Sequence, residues 1–473
     1  MTGVSVPRAG GTLPLHGLRP AHRSGRECPI ATQNGPVPLP RDALEPSLRA
    51  GSAALPAEGG LESTSPHEPG TRSGALDGLR ALAALAVVVT HVGFESGRFQ
   101  SGAIGAVVGR MDVGVAVFFV LSGFLLGRPF ALWALGQAAR PDLRRYAARR
   151  AVRVLPAYWL MLTVTLLVLQ PREIRGPGDL AWQYALLQPY DDYRVINGLS
   201  HVWSLSTELA FYIALPLVGW ALLAVARRSV RPVARALALL GGAAVAGLVF
   251  HGLVQAGVVL GPSLAPQWLP ARFDWFALGL GLAVLTTPRG ARSRPGRLLS
   301  EVARSPGLCW AGAGALLWIA CTPVAGARGF ATLTAHESLS RELLYGCIAL
   351  LLVIPVAAGP TDGGRLRAGL QSRVAVALGR ISYGIFLWHL LVLEVVTRTL
   401  DLELFAFPFW SVLLLVVAIT AGVAWASWQL VERPLLELVD RRLARRARAE
   451  QRGGGRPERE EHEQLRDSGV RTG

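Results

Sequence analysis

From Leu76 onward the chain is a succession of long apolar runs separated by short polar breaks. Ten runs approach or exceed the length needed to cross a hydrocarbon core of ~30 Å as a helix. They fall at about 76–94, 111–132, 151–169, 200–225, 234–257, 268–286, 307–324, 340–358, 375–397 and 407–431. The two-residue alternation of an outer-membrane barrel strand is absent. The pattern predicts an all-α, polytopic integral membrane protein with about ten transmembrane helices. The stretch 179–190 is too short to span and reads as interfacial. Residues 1–72 are rich in Pro, Gly, Ser and Arg, lack hydrophobic period and read as a disordered tail. No apolar stretch with a cleavage site follows their arginines, which argues against a signal peptide. That division makes residues 73–435 the membrane domain and leaves 436–473 as a solvated, charged tail.

Composition agrees. Hydrophobic residues make up 51% of 473, too many for an ordinary soluble domain. The net charge is +16, and every basic side chain is Arg. Loop arginines at a cytoplasmic membrane face account for such a total, so the charge does not call for nucleic acid. Those arginines crowd alternate connections. Arg140, Arg144, Arg145, Arg149 and Arg150 follow the second run, Arg227, Arg228, Arg231 and Arg235 the fourth, and Arg289, Arg292, Arg294 and Arg297 the sixth. The bias predicts that both termini face the cytoplasm of a multi-pass cell-membrane protein. Cys28, Cys309, Cys321 and Cys347 show no paired spacing, which argues against disulfides and a metal site.

Candidate chemistry lies where polar groups interrupt the apolar runs. An ionisable side chain inside a span costs at least ~2.5 kcal/mol, so it marks a function or a partner. The first span carries Arg80 and His91, eleven residues apart. At ~100° per residue they share a face, and at 1.5 Å per residue they stand ~16 Å apart along it. In the fourth span His201, Ser204, Glu208 and Tyr212 recur on one helical face, with Glu208 at a depth close to that of His91. Asp274 lies in the sixth span, and Tyr383 and His389 in the ninth. Each has a plain structural alternative: an ion-pair partner for Glu208 or Asp274, an interhelical hydrogen bond for His389. At the cytoplasmic side, Arg149, Arg150 and Arg153 cluster near a helix start, where guanidinium forks and the helix dipole both favour phosphate. The positive-inside rule alone also accounts for them. With Arg80 they outline a mouth for a phosphorylated carrier.

Several segments together resemble the membrane acyltransferase type 3 family. They are Leu76-Asp-Gly-Leu-Arg80 with His91, Phe118-Phe-Val-Leu-Ser122-Gly-Phe, and Arg149-Arg150-Ala-Val-Arg153-Val-Leu-Pro156. Trp203-Ser-Leu-Ser-Thr-Glu208-Leu-Ala-Phe-Tyr212, Ile381-Ser-Tyr-Gly-Ile-Phe-Leu-Trp-His389 and Glu432-Arg-Pro434 complete the set. The match covers about 76–435. The resemblance implies transfer of an acyl group, commonly acetyl, from cytoplasmic acyl-CoA to a hydroxyl. Acceptors of that kind are a carbohydrate, a lipid-linked glycan or a glycosylated metabolite. The family relies most on the Arg and His of its first span, here Arg80 and His91. Its second cytoplasmic segment often reads Arg-x-Arg, where this chain has Arg150-x-x-Arg153.

On this reading Arg80, Arg149, Arg150 and Arg153 hold the CoA phosphates, and the pantetheine arm runs outward along the first span. His91 acts as base or nucleophile, and Glu208 orients its imidazole as the third member of a triad does. Ser122, Ser204, Asp274, Tyr383 and His389 are candidates for substrate contacts or for donors to the oxyanion. The alternative is a transporter of a glycan or small molecule without acyl transfer, its intramembrane charges forming a relay. No paired broken spans or internal repeat support that alternative.

Overall fold

A computed structural model describes residues 74–453, apart from 171–173, 175, 192–195, 197, 260, 330–331 and 361–363. The tail expected at residues 1–72 lies outside the described residues, as do 454–473. Among the described residues there is no β-strand. The long helices are α1 (Gly74–Glu95), α2 (Val113–Ala134), α3 (Leu143–Leu169), α4 (Val202–Arg227), α5 (Pro232–Gln255) and α6 (Leu269–Leu285). There follow α7 (Pro306–Ala320), α8 (Ala335–Ala357), α9 (Arg373–Arg380), α10 (Ser382–Thr399), α11 (Phe409–Ser427) and α12 (Arg433–Gly453). Among the described residues eight helical spans are long and apolar enough to cross a membrane. α9 and α10, bent by 70° at their junction, make a ninth when the pair is counted as one span, and α7 is apolar but shorter. These helices overlap all ten expected stretches, and most ends agree within a few residues; α3 begins at Leu143, eight residues before the expected start at 151. The interfacial stretch folds as a short helix, Pro177–Tyr184.

Helix starts follow local chemistry. Asp142 accepts from the Arg144 and Arg145 amides and begins α3, satisfying donors that have no partner inside the helix. Thr334 and Glu337 form a capping box at the start of α8. Close helix crossings are made by small residues. Where α2 crosses α6, a Cβ on Gly123 would meet the Phe276 carbonyl at 2.3 Å, and one on Gly279 the Val120 carbonyl at 2.1 Å.

Neighbour relations decide what each polar face can reach. Around α1 pack α2, α9, α10 and α11. Around α4 pack α2, α3, α5 and α6. Thus α2 stands between α1 and α4. The stretch read as a charged, solvated tail begins as a helix whose residues 436–445 are exposed or half-buried. α12 continues α11 through a π turn, Trp428–Glu432, and packs on α3.

Candidate active site

A cavity of about 990 Å³ opens at one end of the helix bundle. Its walls come from the C-terminal half of α1 (His91), from α10 along its length (Phe386, Leu390, Glu394) and from the N-terminal parts of α4, α6 and α8 (His201, Trp203, Ser204, Arg272, Trp275, Glu342, Tyr345). Connectivity puts those segments at the same end. The starts of α1 and α3 and the helix α12 belong to the opposite, arginine-rich end.

Three imidazoles meet, two of them, His91 and His201, on the cavity wall and the third, His389, buried behind it. The rings of His91 and His389 have centroids 4.9 Å apart, and His389 and His201 also 4.9 Å. Backbone carbonyls set their tautomers. His91 Nδ1 lies 2.8 Å from the Val87 carbonyl and His389 Nδ1 2.6 Å from that of Phe386. A carbonyl only accepts, so both Nδ1 atoms carry the proton. His389 Nε2 is then an acceptor, 3.3 Å from His91 Nδ1. The remaining lone pair of His91 is on Nε2. His201 donates from Nε2 to the Leu387 carbonyl at 3.1 Å. Among the described residues no group of three or more His, Cys, Asp or Glu is arranged to hold a metal ion.

Other polar wall residues pair with one another. Arg272 forms an ion pair with Glu342, which is 2% exposed, and lies over the rings of Trp275 (4.8 Å) and Trp203 (5.6 Å). Tyr345 donates to Asp112 Oδ1 at 2.5 Å. Arg110, fully buried, donates to the carbonyls of Ala320, Ala325 and Gly326 and so fixes the loop after α7. Arg272 and Glu342 are not among the candidates expected from the sequence, although a charge inside each of two apolar runs is a sufficient signal.

The expected triad partner is elsewhere. Glu208 accepts from Ser122 on α2 at 2.5 Å. Position along α4 alone gives it a depth close to that of His91, but α2 intervenes between α4 and α1. The side chain that meets His91 is His389, supplied by α10. Ser122 spends its proton on Glu208, and Tyr383 donates to the Val154 carbonyl at 2.8 Å. Neither is placed to serve an oxyanion beside His91. Ser204 lines the cavity but donates to the His201 carbonyl at 3.0 Å. Asp274 is buried in α6, with Oδ1 unpartnered, and is not among the residues lining the cavity.

At the other end, Arg80 donates from Nε to Ser382 Oγ at 3.3 Å. Arg150 lies over the Tyr212 ring at 6.0 Å. Arg149 pairs with Asp440 of α12 at 3.4 Å, both about half exposed. Arg153 departs from expectation. It pairs with buried Glu432 at 2.6 Å, lies over Trp428 (4.9 Å) and Tyr383 (5.6 Å), and takes the Arg380 carbonyl at the α9–α10 break. A guanidinium this enclosed needs a counter-charge, and the π turn supplies one. Arg153 is a helix clamp here, not a free phosphate ligand.

The profile of a family described as an acyltransferase domain matches residues 73–429. The chain is 29% identical over 389 residues to a Bacillus subtilis protein named as a candidate peptidoglycan O-acetyltransferase, covering 78% of this chain and 56% of that one. To the peptidoglycan O-acetyltransferase OatA of Listeria monocytogenes it is 26% identical over 381 residues, covering 76% and 55%. To the acyltransferase MdmB of Streptomyces mycarofaciens it is 28% identical over 400 residues, covering 78% and 92%. The chain spans little more than half the length of the first two relatives. No solved structure matches it.

Proposed function

This chain belongs to that acyltransferase family, and on this premise we propose that it transfers an acyl group from cytoplasmic acyl-CoA to a hydroxyl of a carbohydrate-containing acceptor. The observation that carries the reading is the placement of His91. Its Nδ1 proton is held by a backbone carbonyl and its ring by His389, while Nε2 keeps a lone pair in a cavity large enough for an acceptor. Arg80 sits on the same helix toward the opposite end. The separation along α1 is of the order of a pantetheine arm.

The roles follow from this layout. The CoA phosphates lie at the arginine end against Arg80 and Arg150, with Arg149 available once it leaves its exposed pair with Asp440. The thioester reaches His91. His91 Nε2 takes the proton of the acceptor hydroxyl, the oxygen attacks the thioester carbonyl, and the carbon–sulfur bond breaks. The proton then passes to the departing CoA thiolate. The same lone pair serves if His91 accepts the acyl group first. His389 fixes the ring and, through its own neutral Nε2, favours the tautomer with the proton on Nδ1. The acceptor enters from the cavity end, and the arginine bias along the chain supports an extracytoplasmic position for that end. The peptidoglycan acceptors in the names of two relatives support a carbohydrate.

Purified full-length protein tests the proposal. Given acetyl-CoA, it should release free CoA slowly in water and faster with a glycan acceptor, with labelled acetyl recovered on the acceptor. Absence of CoA release under both conditions contradicts the proposal.

A further inference from the structure

Between the Arg80 side chain and the cavity stand two aromatic rings. The Arg80 guanidinium carbon is 5.7 Å from the centroid of Phe118. Phe118 meets Phe386 edge to face, with centroids 6.0 Å apart at 69°. Phe386 forms part of the cavity wall and packs on His201 (5.2 Å) and His389 (5.9 Å). It is 8% exposed. Ser382, one helical turn before Phe386 on α10, receives the Arg80 hydrogen bond. The arginine and one of the two rings, Phe386, are therefore tied to α10.

We infer that Phe118 and Phe386 form a septum between the donor's phosphate site and the cavity, and that this septum selects acyl groups by width. The inference rests on the acyl-CoA reading above. Rings packed at this spacing are in contact, so a chain running from Arg80 to His91 passes only when one ring swings aside. The gap so opened suits the unbranched part of the pantetheine arm, because that segment must occupy it while the thioester sits by His91. An unbranched acyl group has the same girth and passes ahead of the arm. A group branched beside the thioester carbonyl is wider and is held back. Length matters less, since the leading end of the acyl chain advances into the cavity. Neither ring makes or breaks a bond. They are specificity-determining residues.

Butyryl-CoA and isobutyryl-CoA hold the same atoms and differ in branching, so they isolate width. The measurement is free CoA released by the purified full-length protein in detergent from each, with acetyl-CoA as reference. Wild type should favour butyryl-CoA by about tenfold or more, the lower range of discrimination by one misplaced methyl group. Phe118→Ala and Phe386→Ala should each bring the ratio toward one by raising isobutyryl turnover. Phe118→Leu and Phe386→Leu keep most of the volume, should shift the ratio in the same direction, and carry the test if the alanine variants do not fold. A purely structural role lowers turnover of both substrates and leaves the ratio alone. A wild-type ratio near one, or an unchanged ratio in folded variants that still use acetyl-CoA, overturns the septum. No CoA release by wild type from any of the three overturns the donor reading and the septum with it.

Discussion

Removing the charge of Glu432 probes what Arg153 does. The Arg153 side chain is 14% exposed and that of Glu432 1%, with 2.6 Å between Nη1 and Oε2. Glu432→Gln keeps the shape of the π turn but leaves the guanidinium with two rings and a carbonyl as partners. Breaking a buried pair from one side costs roughly 3–5 kcal/mol. At ~2 °C per kcal/mol, the lower end of the range for large domains, that amounts to a fall in melting temperature of roughly 6–10 °C. Replacing both partners, Arg153→Met with Glu432→Leu, removes the uncompensated charge and should recover most of the loss. Thermal unfolding in detergent, followed by tryptophan fluorescence, measures all three proteins. CoA affinity of the double variant should stay within about threefold of wild type, because a clamp is not a phosphate ligand. An unchanged melting temperature in Glu432→Gln, or a double variant that is stable but no longer binds CoA, refutes the clamp.

Further outcomes follow from the same contacts. Asp440→Asn frees Arg149 from a half-exposed pair and should tighten CoA binding about twofold at low salt and hardly at all at high salt, since exposed pairs contribute ~1 kcal/mol or less and are screened; titration calorimetry at both ionic strengths reads this. Arg80→Lys keeps the charge but loses the planar fork, and acyl-CoA affinity should fall about tenfold with the melting temperature preserved. In a double-mutant cycle by thermal unfolding, Ser122→Ala and Glu208→Gln should couple by about 1.5–3 kcal/mol, as for a hydrogen bond to a charged group. His91→Ala and Glu208→Gln should be additive within about 0.5 kcal/mol, because α2 separates them.

The helices were legible because a membrane span has one dominant signal, an apolar run of sufficient length. The bend between α9 and α10 was not, because the run 375–397 is apolar on both sides of Arg380 and reads as one continuous span. Arg80 and His91 were legible as a pair because both lie on one helix, whose period fixes their relation. Glu208 was misassigned for the complementary reason. Depth can be estimated along a single helix, but adjacency depends on which helices pack together. Arg153 shows the same limit, since its partner Glu432 lies 279 residues away and the sequence marks both only as charges near span ends. The pairing of His91 with His389 depends likewise on α10 lying against α1, which no local pattern encodes.

The central claim is that His91, in the cavity, is the group through which acyl-CoA reacts. Its most direct test is the rate of CoA release from acetyl-CoA in the presence of a glycan acceptor, compared between wild type and His91→Ala at equal amounts of folded, CoA-binding protein. The account predicts release by wild type and a loss of about a hundredfold or more in the variant, the usual contribution of a positioned base or nucleophile being ~10²–10⁴, with CoA affinity retained. Release by His91→Ala within tenfold of wild type would contradict it.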